Sequence, residues 1–184
     1  LSSSLVLSHE INIDGKLDDP AWKSADEYTK YYESLPFTLN EPKDFQKVLI
    51  LEDEKGIYLG FINKQDKETI RANRHERDDE MANADKAGLA IDFDGDGLAA
   101  YAFTVSAGGS IADGIYRNEN EVNYDWDADW KSGVFIDQDY WYAEMFIPWS
   151  IAPMKAVNGD FREVKLSFWR LLAAEWRVNT TNQG

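Results

Sequence analysis

Apolar and polar residues alternate most regularly between residues 86 and 105, where KAGLAIDF and LAAYAFTV flank the turn DGDG. A period of two puts neighbouring side chains on opposite faces of a strand, so the stretch predicts a hairpin closed by an acidic turn. Ala87, Leu89, Ile91 and Phe93 share one face of the first strand, and Ala99, Tyr101, Phe103 and Val105 share one face of the second. Those faces suit a core. The opposite faces carry Gly88, Ala90, Ala100 and Ala102, which are small enough to require something bulky across them, either another part of the chain or a flat ligand.

The same reading extends along the chain. Residues 5–13 predict an entry strand, followed by one helical turn with Asp19 as cap and Pro20 at its first position. Trp22 is expected to plug one end of the core. Residues 27–34 can pair at an edge, and residues 47–53 and 57–63 form a hairpin apolar on both sides, hence central. Residues 64–84 are polar and aperiodic, a long loop. Strands follow at 110–116, at 130–137 with 141–149 (ended by Pro148), and at 164–172 and 175–178. About ten short strands and one short N-terminal helical turn predict an all-β, antiparallel, jelly-roll-like β-sandwich. Residues 1–184 read as a single domain, excised from a longer chain. Strict alternation of direction would put the 92–97 turn and the 117–129 loop at one end, and the 64–84 loop and the Gly108-Gly109 turn at the other.

A hydrophobic fraction of 43% marks a globular chain, and no run is long and apolar enough to cross a membrane as a helix. The formal net charge of -15 repels polyanions, which disfavours nucleic acid as a partner. With no cysteine there are neither disulfides nor thiolate metal sites. No catalytic constellation stands out: His9 and His75 are far apart in sequence, and among 34 acidic residues no pair is marked as a glycosidase dyad. The domain is therefore read as not an enzyme.

Two pieces of chemistry remain. Asp92, Asp94 and Asp96 alternate as in a calcium loop, although Phe103 occupies the twelfth position, where an EF-hand needs glutamate. They are either a solvated Asp/Gly turn or a Ca2+ site completed from another loop, for instance by Asp125. Residues 117–130 combine aromatic rings with amide and carboxylate groups, the mixture that grips a sugar's C–H face and hydroxyls. Tyr116, Asn123, Tyr124, Trp126 and Trp130 are the candidates, unless the tryptophans pack over the small-residue face of the central hairpin. Arg77 and Asp78 could hold hydroxyls too, or brace their loop through Asp85 and Asp113.

The segments INIDGKLDDPAWKSA, VLILEDEKGIYLGF, RDDEMANADKAGLAIDFDGDG and WYAEMFIPWS resemble the family 9 carbohydrate-binding modules. RHERDD, AYAFTVSAGGSIADG, YDWDADWKSGV and WYAEMFIPWS together resemble a domain that precedes a predicted outer-membrane β-barrel in uncharacterised bacterial proteins. The resemblance implies a β-sandwich, non-catalytic binding of an oligo- or polysaccharide, and structural calcium in some members. It also implies a place in carbohydrate catabolism at the bacterial envelope, periplasmic or outer membrane-associated, or in a secreted protein. A second expectation is an accessory domain that docks on a C-terminal barrel of the same polypeptide and binds no free sugar. Family 9 modules clamp a sugar between two tryptophans, one just before the strand that leads into the acidic turn. Here that region reads Met81-Ala82-Asn83-Ala84, without an aromatic residue.

Overall fold

The structure is a computed structural model that describes residues 11–79, 81–118, 121–156 and 161–181. Twelve strands are found among the described residues: β1 (Asp26–Tyr28), β2 (Tyr32–Leu35), β3 (Gln46–Glu52), β4 (Gly56–Lys64), β5 (Lys86–Asp92), β6 (Tyr101–Ser106), β7 (Ile111–Asn118), β8 (Glu121–Asn123), β9 (Lys131–Asp137), β10 (Tyr140–Pro148), β11 (Lys165–Leu172) and β12 (Arg177–Thr180). They form a five-stranded sheet in the order β1-β3-β4-β10-β9 and a seven-stranded sheet in the order β2-β12-β11-β5-β6-β7-β8. Every pairing is antiparallel. The fold is a β-sandwich whose helical content among the described residues is three short 3₁₀ turns.

Alternation along the strands builds the core as the pattern requires. Leu89, Ile91, Phe103, Val105 and Phe168 from the larger sheet meet Leu59, Phe61, Trp141, Met145 and Ile147 from the smaller. Phe61 and Phe168 bridge the two sheets edge to face, with ring centroids 6.1 Å apart. Burying each large side chain is worth about 1.5–3 kcal/mol, enough to hold the sheets together without staples. The 47–63 hairpin is β3 and β4, and β4 is the middle strand of its sheet.

Five expectations change. Of the entry strand at 5–13, residues 5–10 lie outside the described residues, and residues 11–13 are not in a strand. The second strand of the acidic hairpin starts at Tyr101 rather than at residue 98, and Leu98 is exposed. The 130–137 strand (β9) crosses to the other sheet, because β8 first turns back along β7. The 117–129 loop therefore leaves from the end of the acidic turn and runs back toward the 64–84 loop. That loop and the Gly108-Gly109 turn do share an end, where His75 N–H donates to Ser110 Oγ at 2.9 Å.

The fourth change concerns Trp22. It does not plug an end of the core but packs on the outer face of the five-stranded sheet. Met145 and Ala143 point into the core, so Glu144 between them points outward, yet it is fully buried. In register, Glu144 sits between Gly60 of β4 and Gly133 of β9. The two glycines open a notch that the Asp14-Gly15 turn fills. A Cβ on Gly133 would lie 2.6 Å from Asp14 C, and one on Gly60 2.6 Å from Leu17 Cδ2. Glu144 Oε2 accepts the N–H groups of Asp14 (2.9 Å) and Gly15 (2.8 Å), and Oε1 accepts Trp22 Nε1–H (2.9 Å). Gly15 has φ +90, a conformation only glycine takes readily. Burial raises the Glu144 pKa above the ordinary carboxyl value, against the three donors that pull it down. Asp19, expected as a side-chain cap, instead accepts Asn12 N–H through Oδ2 at 2.9 Å.

Glu144→Gln puts an amide where three N–H groups converge, so one donor must face another. Urea unfolding is expected to show a loss of about 1–3 kcal/mol. A variant as stable as the parent would show that the carboxylate does not hold the N-terminal segment.

Candidate functional site

Asp113 is fully buried in β7 and gathers the predicted loop residues around it. Its Oδ1 accepts Trp130 Nε1–H at 3.1 Å and pairs closely with the Arg77 guanidinium, and its Oδ2 accepts Ala128 N–H at 2.7 Å. Arg77 also reaches Ala128 O at 3.2 Å, Asp127 at 3.0 Å and Asp78 at 3.5 Å. Asp78 Oδ1 accepts Asp113 N–H, while Asp78 N–H donates to Ile111 O. Desolvation is the largest influence on Asp78 and raises its pKa. The two long loops are zipped together at this point. Asp85 does not join Arg77: it accepts N–H groups from Arg71, Ala173 and the Gln65 side chain, anchoring other segments.

The tryptophans lie on the core side of the central hairpin and not on its small-residue face. Trp130 is buried and meets Phe103 edge to face at 5.4 Å. Trp126, half-buried, packs on Tyr101 at 5.0 Å and on Phe103 at 6.0 Å. Asn123 Oδ1 accepts Asp125 N–H at 3.1 Å, which shapes the turn out of β8, and Tyr124 is half-buried beside it. Tyr116 faces the other way, onto the outside of the seven-stranded sheet, and burial raises its phenol pKa. The structure thus brings Arg77, Asp78, Trp126 and Trp130 together as a brace, with Tyr116 on a different surface.

That outer surface carries the small-residue face expected from the sequence, together with a ring, Trp169, that was not singled out there. One cross-strand row reads Tyr32, Thr180, Trp169, Gly88, Thr104 and Ala112, and the next contains Ser167, Ala90, Ala102 and Gly114. Trp169 of β11 leans over Gly88: a Cβ there would lie 2.7 Å from Trp169 Cζ2 and 2.8 Å from Cε2. The small residues form a flat floor with an indole at one side and Tyr116 with Val122 at the other. Lys86, whose ammonium donates to Asp79 O at 3.2 Å, stands at one end, and Asp92 with Lys165 at the other. Phe168 points inward, so the residue after it must point outward. That much is readable from alternation; that it meets Gly88 depends on the β11–β5 register.

Among solved structures, a family 9 carbohydrate-binding module from Caldicellulosiruptor kristjanssonii in complex with cellotriose superimposes with a TM-score of 0.61. It is 15% identical, over 92% of this chain and 77% of that one. The same organism's family 9 module in complex with glucose gives a TM-score of 0.63 at 13% identity, over 92% and 80%. A Bacteroides uniformis protein with an assigned, rather than demonstrated, carbohydrate-binding role gives 0.61 at 12% identity, over 83% and 76%. This chain has the family 9 module fold. No protein-family model matches the sequence, and no curated protein matches it.

In this family 9-like sandwich the acidic turn is bound from within. Asp92 Oδ1 accepts the N–H groups of Asp94 (3.1 Å) and Gly95 (2.9 Å), and Oδ2 accepts Gly97 N–H (2.7 Å). Asp94 accepts Lys155 N–H and pairs with Arg162 at 2.5 Å, while Asp96 pairs closely with the Lys155 ammonium. That ammonium holds the Asp96 pKa below the usual range. Asp125 is largely exposed and pairs with Arg117 at 3.8 Å. Among the described residues no group of three or more acidic or histidine side chains is arranged to hold an ion. The turn carboxylates face amides and cations, so calcium would have to displace Lys155 and Arg162. Adding calcium, or chelating it, is expected to leave the melting temperature unchanged; a rise of several degrees with calcium would mean the turn rearranges around an ion.

Proposed function

We propose that this domain is a non-catalytic carbohydrate-binding module whose ligand lies across the outer face of the seven-stranded sheet. The observation that carries the reading is the Trp169 indole held over the Gly88 floor. An aromatic face stacks on the apolar C–H face of a sugar, and flanking hydroxyls satisfy the ring's polar edge. Thr180 and Thr104 flank Trp169 and Gly88 along their row, Ser167 lies in the next row, and Tyr116 stands at the far side. Neighbours of the same fold are seen with cellotriose and with glucose, which supports a β-linked glucan as the first ligand to try. Trp130, Arg77 and Asp78 serve this reading as supports, since their polar atoms are engaged with Asp113, and Trp126 does so through its ring contacts with Tyr101 and Phe103. The setting proposed is that of an envelope or secreted protein of carbohydrate breakdown.

One observation favours the second reading, a domain that docks on a barrel of the same polypeptide. The segment where family 9 modules place a clamp aromatic carries Met81, which is exposed.

A glycan array followed by calorimetry on the parent and on Trp169→Ala separates the two. Binding by the parent is expected, with the variant weaker by about tenfold or more and equally stable, because the ring is only half-buried. No binding to any glycan, or binding indifferent to Trp169, would overturn the sheet-face site.

A further inference from the structure

Four Asp-Gly pairs occur in the chain, at residues 14–15, 94–95, 96–97 and 113–114. Such a pair can rearrange without any enzyme. The glycine nitrogen attacks the aspartate side-chain carbonyl carbon, and glycine has no Cβ to obstruct the approach. A C–N bond forms, the nitrogen's proton leaves with the carboxyl hydroxyl as water, and a cyclic imide results. Water then adds back at either carbonyl. Opening at the main-chain carbonyl leaves isoaspartate, in which the side-chain carbons have become part of the backbone. Ring closure requires the peptide to swing toward the side chain, so the packing around each glycine decides where it can occur.

Three of the four pairs are held in place. Gly15 is buried, and a Cβ on it would lie 2.3 Å from Val134 C. Asp113 is fully buried, and Gly114 pairs with Ala102 inside the ladder. Gly95 is packed against Glu163, whose carbonyl oxygen would lie 2.8 Å from a Cβ there, and Asp94 is tied to Arg162 and to Lys155 N–H.

Asp96-Gly97 differs on each count. Both residues are exposed, as are Leu98 and Ala99 after them. Among the described residues nothing lies within 4 Å of a Cβ built on Gly97. Asp96 Oδ1 accepts Leu98 N–H at 2.9 Å, which bends the carboxyl back over the Asp96–Gly97 peptide. Two contacts must open before the ring can close: the pair between Asp96 and the Lys155 ammonium, and Gly97 N–H to Asp92 Oδ2 at 2.7 Å. The ion pair lies at the surface, where such pairs hold weakly.

We propose that Asp96 is a site of spontaneous covalent modification, which turns to isoaspartate in the folded protein while the other three Asp-Gly pairs are preserved. The extra backbone carbon lengthens the turn between β5 and β6 and moves Gly97 off Asp92. The change falls at the end of the sheet face where Asp92 and Lys165 pair in register, whether or not that face binds a sugar.

The test follows the folded chain over weeks in mildly acidic buffer at physiological temperature, with a parallel sample unfolded in urea. Digestion and electron-transfer fragmentation then tell isoaspartate from aspartate at each position. Dividing each folded-state rate by the same site's rate in urea removes the effect of local sequence. The ratio at Asp96 is expected to exceed those at Asp14, Asp94 and Asp113 by about tenfold or more, because local opening is easiest in an exposed turn. Asp96→Glu, whose longer side chain disfavours the ring, should remove the signal. Rearrangement at Asn158-Gly159 is read separately, by the mass gain of deamidation. The proposal is overturned if Asp96 stays aspartate in the folded chain, whatever happens in urea, or if its ratio is no higher than the others. It is equally overturned if the signal survives in Asp96→Glu.

Discussion

The Glu144 carboxylate, sunk between Gly60 and Gly133, is the constraint on which the smaller sheet depends. A charged group on the outside of a sheet would ordinarily stay in water. Here it is covered by the segment that it anchors, and burial is tolerable because three N–H donors replace the lost hydration. The arrangement is mutual. Without the glycine notch the turn could not approach, and without the carboxylate two backbone amides and an indole N–H would be buried unpaired.

The same device recurs through the fold. Asp85 accepts backbone N–H groups from Arg71 and Ala173, Asp92 from three residues of its own turn, and Asp113 from Ala128. Each of these acids sits in or beside a strand and ties down a loop that has no regular structure of its own. Loops cannot pair their N–H groups as strands do, and a carboxylate offers two oxygens that accept several at once. Part of the acidity of this chain is therefore structural. The acidic turn is one more instance: its alternate aspartates, spaced as if for an ion, are occupied by the turn itself and by Lys155 and Arg162.

Most of the fold was legible because it is local. Period-two alternation marked the β5–β6 hairpin, apolar runs around short turns marked β3–β4 and β9–β10, and the small residues on one face of β5 and β6 pointed to the surface where Trp169 lies over Gly88. What alternation does not carry is pairing between distant strands. Trp169 and Gly88 are neighbours only because β11 pairs with β5, and Glu144 meets Gly15 across most of the chain. For that reason the tryptophans of the 117–130 loop stood out as surface candidates while the outward tryptophan went unremarked. Ring type and polar neighbours are visible in a sequence; the face on which a ring lands is not. The folding of β8 back along β7 also carried the loop to the core side, and no periodicity predicts a reversal of three residues.

If the proposed sheet-face site is right, the floor beneath Trp169 gives the physical reason for its place there and not on the loops. A side chain laid on glycine and alanine rests on backbone held by hydrogen bonds on both sides, so little conformational freedom remains to be lost when a ligand stacks on it. The loop aromatics turn inward instead, which spends the surface of both rings on Phe103 and the Trp130 indole N–H on Asp113. A stripe of small residues in the middle of a sheet gives up packing area that larger side chains would supply. The sandwich can bear that loss because its core lies on the opposite face of the same strands, where Leu89, Phe103 and Phe168 are fully or almost fully buried. On the proposed reading, stability and recognition would occupy opposite faces of the same strands, with period two keeping them apart.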